Sequence, residues 1–260
     1  MSAGQSEPSN SSCGDPEPAL PPPPWAEQLV RDACNLAGQD VYPPSDDTFL
    51  LLEALAADAE RLQALQPNIC LEVGSGSGTP LVGLAQVLSG ILLAGEGQAP
   101  QTRARSKPVF LATDKNQAAI SCTSALLQAH GVKLRGAVRT CFAEGLRVDG
   151  KVDIGLCNPP YVPGPVEEME GTGISISWAG GKDGREVIDQ LLPLIGKLLA
   201  PRGYFYLVCV ADNRPEEILH KTVCAAAEQQ VELTGCVARQ QVRGIEELFV
   251  LRFQRVEEQE

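Results

Sequence analysis

Leu71-Glu72-Val73-Gly74-Ser75-Gly76-Ser77-Gly78 follows the apolar pair Ile69-Cys70 and precedes a helical segment from about Pro80 to Leu88, the order of a strand, a glycine loop and a helix. Glycines at alternate positions let the backbone pass close under a ligand, and the helix start behind them offers unpaired N–H groups to a carboxylate or another anion. The spacing departs from a dinucleotide fingerprint. A G-x-G-x-x-G reading from Gly74 needs glycine at position 79, which is Thr79. Glu72, two places before the first glycine, would repel a pyrophosphate and suits a ligand with a positive charge.

Working outward, Pro108 to Thr113 reads as the next strand, ending in Asp114 before a helical run from Gln117 to His130. Asp114 is open to two readings. A carboxylate at a strand tip accepts hydrogen bonds from a ribose diol, and an Asp before a helix is equally a helix N-cap. A third apolar run, Val152 to Cys157, reads as a buried parallel strand and ends in Asn158-Pro159-Pro160-Tyr161. Each proline forces the residue before it out of the α region, so the chain beyond the strand is a stiff rack of acceptors. The Asn158 carboxamide oxygen and the Pro159 carbonyl could take both N–H bonds of one planar NH2 group while the Tyr161 ring covers its face. The plain alternative is a proline-rich turn.

Together these segments resemble class I methyltransferases that use S-adenosylmethionine, and more narrowly the HemK-type glutamine N5-methyltransferases with an NPPY signature. The resemblance runs from Val41 to about Phe253. It rests on Tyr42-Pro43-Pro44-Ser45-Asp46-Asp47-Thr48-Phe49, on Leu71 to Gly78, on Asn158 to Val162 and on Trp178-Ala179-Gly180-Gly181-Lys182-Asp183-Gly184-Arg185-Glu186. The combination is similar to the eukaryotic and archaeal branch that acts on the Gly-Gly-Gln loop of the class I translation termination factor.

The resemblance implies a Rossmann-like α/β fold: a seven-stranded, mostly parallel sheet with helices on both faces and an antiparallel final strand. It implies S-adenosylmethionine as cofactor, with Glu72, Gly74, Gly76 and Gly78 bordering its methionine end, Asp114 on its ribose and Thr48 near the same pocket. Asn158 would approach both the transferable methyl group and the target amide, with Pro159, Pro160 and Tyr161 completing the acceptor site; Asn158, Pro159 and Tyr161 are the catalytic set. One departure stands out. The family's acidic contact to the adenine amino group falls in Val138-Arg139-Thr140-Cys141-Phe142, which places Cys141 there, and a thiol is a weak acceptor. The resemblance also implies a small zinc-binding activator subunit that forms a heterodimer by adding a strand near Gly136 to Phe142. Protein lysine and adenine N6 remain as other acceptors, and a non-catalytic scaffold that lost the cofactor through Cys141 as another class of function.

Elements alternate as βα units, with a helix from about Ser45 to Leu65, strands near 69, 108, 135, 152 and 203, a helix from Glu186 to Leu199, and a closing antiparallel pair at Val231–Gln240 and Leu248–Phe253. Residues 1–24, with no Lys or Arg and ending in four prolines, read as a disordered leader before one domain over 25–260. The segment 90–107 reads as a surface insertion, and 178–185 as a lid or simply the loop before a helix. The leader lacks the marks of a secretory or organellar signal, and no stretch suits a membrane span. Nine cysteines without a C-x-x-C pair read as reduced small hydrophobes, so no metal site is expected and the compartment is reducing: the cytoplasm, with the nucleus as a second location. Twenty-one basic against 33 acidic residues give a net charge of −12, which argues against duplex DNA as partner. His130 and His220 read as surface or capping residues rather than catalysts.

Overall fold

The structure is a computed structural model, and it describes residues 22–90, 108–164, 178–243 and 246–257. The proposed leader and the 90–107 insertion therefore lie almost wholly outside the described residues. The parallel strands are β1 (Ile69–Val73), β2 (Val109–Asp114), β3 (Leu134–Arg139), β4 (Val152–Cys157) and β5 (Leu199–Val210); β6 (Leu233–Arg243) and β7 (Glu246–Arg255) follow. They form one seven-stranded sheet in the order β3-β2-β1-β4-β5-β7-β6, with β7 antiparallel to both neighbours. The switch in strand order lies between β1 and β4, the place where sheets of this kind bind ligands.

Two apolar layers sandwich the sheet. On one face lie α1 (Glu27–Ala37), α2 (Asp46–Ala57), α3 (Ala59–Leu65), α4 (Thr79–Leu88) and α5 (Gln117–Ala129); on the other lie α6 (Glu186–Leu198) and α7 (Pro215–Glu228). The inner strand β5 shows why both layers form. Tyr204, Tyr206, Val208 and Val210 point into the first core, while Phe205, Leu207 and Cys209 point into the second. Alternation with both faces apolar is what a strand covered on two sides requires. Cys70, Cys157 and Cys209 are buried free thiols inside strands, as small hydrophobes are.

Three elements differ from the expectation. The helix expected over Ser45 to Leu65 is two, broken at Asp58, whose carboxylate leaves the helical run to accept from the Tyr206 hydroxyl at 2.7 Å and from Arg252. A helix before it, α1, is an addition: Leu29, Val30, Ala33 and Ala37 form its buried stripe, and it packs on α4 and α5. Phe142 does not extend the β3 edge. Its backbone turns to φ 49°, a left-handed value, and the residue borders the central cavity while packing against the second apolar layer.

Candidate active site

Strand register brings three sequence motifs to one edge. Glu72 is level with Leu156 and Ala112, and Val73 pairs with Cys157 and Thr113, so the glycine loop, Asp114 and Asn158 leave adjacent strands side by side. Above them opens a cavity of about 700 Å³ lined by Thr48, Glu72, Gly74, Gly76, Asp114, Asn158, Pro159, Pro160 and Tyr161 among others. Most residues singled out in the sequence are thus brought together. Gly78 and Cys141 are not among the lining residues, whereas Ser77, Thr140 and Phe142 are. Gly78 has a packing role: its φ is +81°, and a Cβ there would lie 2.9 Å from the Thr123 methyl. After Cys141 the chain turns at Phe142, φ 49°, and Thr140 and Phe142 border the cavity where Cys141 does not.

The glycine loop is built rigid. Gly74 and Ser75 donate to the Thr113 carbonyl at 2.8 and 2.9 Å, and Thr123 donates to Ser75 Oγ at 2.9 Å and to the Gly76 carbonyl at 3.1 Å. A Cβ at Gly74 or Gly76 would meet no atom within 4 Å, so both glycines form an open surface. Asp114 accepts from the Gly76 amide at 2.9 Å and the Asn116 amide at 2.8 Å, which joins the loop to the tip of β2. It does not cap α5; Asn116 does, accepting from the Ala118 amide at 2.9 Å. The Asn116 carboxamide also donates to the Asp40 carbonyl at 2.7 Å, drawing residues 40–42 against the cavity.

Charge at this end is unsettled. Glu72 is 1% exposed and its Oε2 has no hydrogen-bond partner among the described residues. Burial, with repulsion from Asp114, holds its pKa well above the ordinary carboxylate range against a backbone hydrogen bond from Leu81. Burial also raises Asp114, and the Asn116 and Gly76 amides oppose that. A group that brought positive charge beside Glu72 would restore its ionised form.

At the other end, sequence reasoning missed the organising residue, Asp47. Although it opens α2, it is 4% exposed and faces the cavity. Its Oδ2 accepts from Asn158 Nδ2 at 3.0 Å and from the Tyr161 hydroxyl at 3.0 Å, while Oδ1 accepts from the Thr48 amide. Asn158 Nδ2 is thereby engaged, and Oδ1 is left buried with no partner among the described residues. The Tyr161 hydroxyl, buried and facing the Asp47 carboxylate, is pushed far above its usual pKa and stays protonated. A signal for Asp47 was present. It stands directly before the apolar run Thr48-Phe49-Leu50-Leu51-Leu52, and an acid at the head of a buried face needs a partner.

The stretch 178–185 is pinned to the acceptor segment rather than free. The Val162 amide donates to the Trp178 carbonyl at 3.0 Å and the Gly180 amide to the Val162 carbonyl at 2.8 Å, and Trp178 and Ala179 line the cavity. His130 pairs with Asp32 and His220 lies beside Cys224, both away from the cavity lining.

No family model matches the chain. Among curated proteins it is 41% identical over 219 residues to Methyltransferase HEMK2 of Mus musculus, spanning 84% of this chain and 91% of that protein. It is 34% identical over 230 residues to the eRF1 methyltransferase catalytic subunit mtq2 of Schizosaccharomyces pombe, covering 84% and 90%. Among solved structures, the E. cuniculi Mtq2–Trm112 complex shares the fold with a TM-score of 0.51 at 22% identity, over 84% of this chain and 99% of that one. With this identity across nearly the full length of its relatives, the chain belongs to the HemK-type methyltransferases, in the branch that holds HEMK2 and Mtq2.

Proposed function

We propose that this chain is an S-adenosylmethionine-dependent N-methyltransferase acting on the side-chain amide of the glutamine in the Gly-Gly-Gln loop of the class I translation termination factor. One observation carries the acceptor assignment: Asn158 Oδ1 is buried without a partner among the described residues while Asp47 holds Nδ2. A buried acceptor left open costs about 1–3 kcal/mol unless a donor arrives, and a primary amide is such a donor. The fission-yeast relative's name assigns it the same substrate protein.

The cavity fits the cofactor on three counts. Glu72 Oε2 has no hydrogen-bond partner among the described residues, Gly74 and Gly76 present bare backbone, and Asp114 lines the cavity where a ribose diol would lie. Thr48, Glu72, Gly74, Gly76 and Asp114 would hold S-adenosylmethionine, which when bound supplies an electrophilic methyl group on a sulfonium. The protein's own part is placement. An amide nitrogen is a poor nucleophile because its lone pair is delocalised. Asn158 Oδ1 and the Pro159 carbonyl, accepting both N–H bonds, draw electron density onto that nitrogen and stabilise the positive charge that develops there. Pro160 keeps the rack stiff, and Tyr161, tied to Asp47, walls the site.

The open edge of β3, with Val138 36% exposed, suits strand addition by a small zinc-binding activator subunit, giving a heterodimer. No helix of the described chain is long and apolar enough to cross a membrane; a substrate that works in translation supports a cytoplasmic reading, with the nucleus as a second compartment. A protein lysine is a second acceptor favoured by one observation. The Asp47 carboxyl group faces the cavity between Asn158 and Tyr161, where it could accept a hydrogen bond from an ammonium group.

Asn158→Ala tests the assignment. Cofactor affinity by calorimetry stays within about threefold and transfer to the termination factor falls at least about 100-fold, since orientation and charge stabilisation are both lost. Undiminished transfer would refute the acceptor role.

A further inference from the structure

Asn213 sits in the single 3-10 turn after β5, fully buried and outside the cavity lining, and its carboxamide is committed at both ends. Oδ1 accepts from the Val210 amide at 2.9 Å; Nδ2 donates to the Tyr161 carbonyl at 2.9 Å and to the Asp183 carbonyl at 3.0 Å. The Asn213 carbonyl in turn accepts from Arg185 Nη1 at 2.8 Å, and that guanidinium is 3% exposed and clamped by Asp189. One amide thus joins three segments far apart in sequence: the end of β5, the last residue of the acceptor tetrapeptide and the 183–185 turn.

The joint has no slack. Gly184 has φ +64°, and a Cβ on it would fall 1.9 Å from the Tyr161 carbonyl oxygen and 2.5 Å from Asn213 Nδ2. Only glycine lets this turn pass beneath the tyrosine. Tyr161 is therefore fixed twice, by Asp47 at its hydroxyl on the cavity side and by Asn213 at its carbonyl from below. Prolines at 159 and 160 fix φ but leave ψ at Pro160 and the torsions of Tyr161 free, and the Asn213 bond closes that gap.

We propose that Asn213 is a positioning residue for the acceptor site, setting the backbone beyond Pro160 and with it the aim of the Asn158 and Pro159 acceptors. The inference rests on the acceptor reading given under Proposed function. Asn213→Asp is the sharp variant. It keeps the volume and the acceptor for the Val210 amide, but turns an oxygen toward the Tyr161 and Asp183 carbonyls in place of the donor. Transfer to the termination factor should lose about 10- to 100-fold in kcat while the cofactor Kd changes less than about threefold, because the glycine loop is untouched. Hydrogen exchange followed by mass spectrometry gives a readout independent of activity. Exchange should quicken in peptides covering 158–164 and 178–186 and stay unchanged over 72–80. Should Asn213→Asp fail to fold, Asn213→Ser removes the same reach with less charge and should give the same pattern. Unchanged exchange over 158–164 in a folded variant overturns the inference, as does equal loss of cofactor affinity and turnover. A wild-type chain that does not methylate the glutamine loop would instead refute the acceptor reading, and the exchange pattern would still decide the role of Asn213.

Discussion

Glu72 concentrates the electrostatics of the site in one carboxyl group. Its pKa is raised in the folded chain, so between the ordinary carboxylate value and that raised value the folded state carries a proton that the unfolded state has lost. Stability therefore falls as pH rises through this window, and the favourable contribution is complete only below it. Glu72→Gln should flatten this part of the profile and leave the protein more stable near neutrality when no cofactor is added. The same substitution should weaken cofactor binding by about tenfold or more, because the positive methionine end loses its counter-charge. Thermal melts across pH, beside calorimetric titration, check both; parallel pH profiles for the two proteins would contradict the account. At this scale Glu72, Asp114 and Asn158 stood out because each lies at or within one residue of the end of a readable strand. Asp47 and Asn213 were not assigned, since their partners lie 111 and 52 positions away; the apolar run after Asp47 signals that the acid needs a partner but not which one.

Elements were legible where one periodicity ran unbroken and were misread where a long-range contact cut across it. The stretch from Ser45 to Leu65 has helical composition throughout, yet at Asp58 the chain leaves the helix to serve Tyr206 and Arg252 on the sheet, with Arg61 also within 3.3 Å. A buried polar hub outweighs the one or two helical hydrogen bonds it costs. Asp58→Ala should lower stability by about 2–4 kcal/mol, since it strands a half-buried guanidinium and a buried phenol, and urea denaturation measures this directly. Cofactor affinity should not follow, because Asp58 is not among the residues lining the cavity. A loss below about 0.5 kcal/mol would show the hub to be incidental. The turn after β3 carries the same lesson: Cys141 was assigned from position in a motif, and a left-handed Phe142 re-aims the chain there.

For the molecule as a whole, alternating βα units and a closing antiparallel pair were enough to specify a doubly wound sheet, and register then assembled the site, because parallel strands of similar length end level with one another. The order of strands and the identity of the covering helices come from packing between distant segments, which is why α1 went unread. Net charge of −12 and a stiff acceptor rack above a cradle that suits a cation agree in pointing to a protein amide rather than a nucleic acid. The direct test is methyl transfer from labelled S-adenosylmethionine, using this chain coexpressed with the small activator subunit and the termination factor as substrate, with the site of label read by tandem mass spectrometry. One methyl group is expected on the glutamine of the Gly-Gly-Gln loop, and none when that glutamine is alanine. Label that persists on the alanine version, or falls only on lysine or adenine, would contradict the assignment.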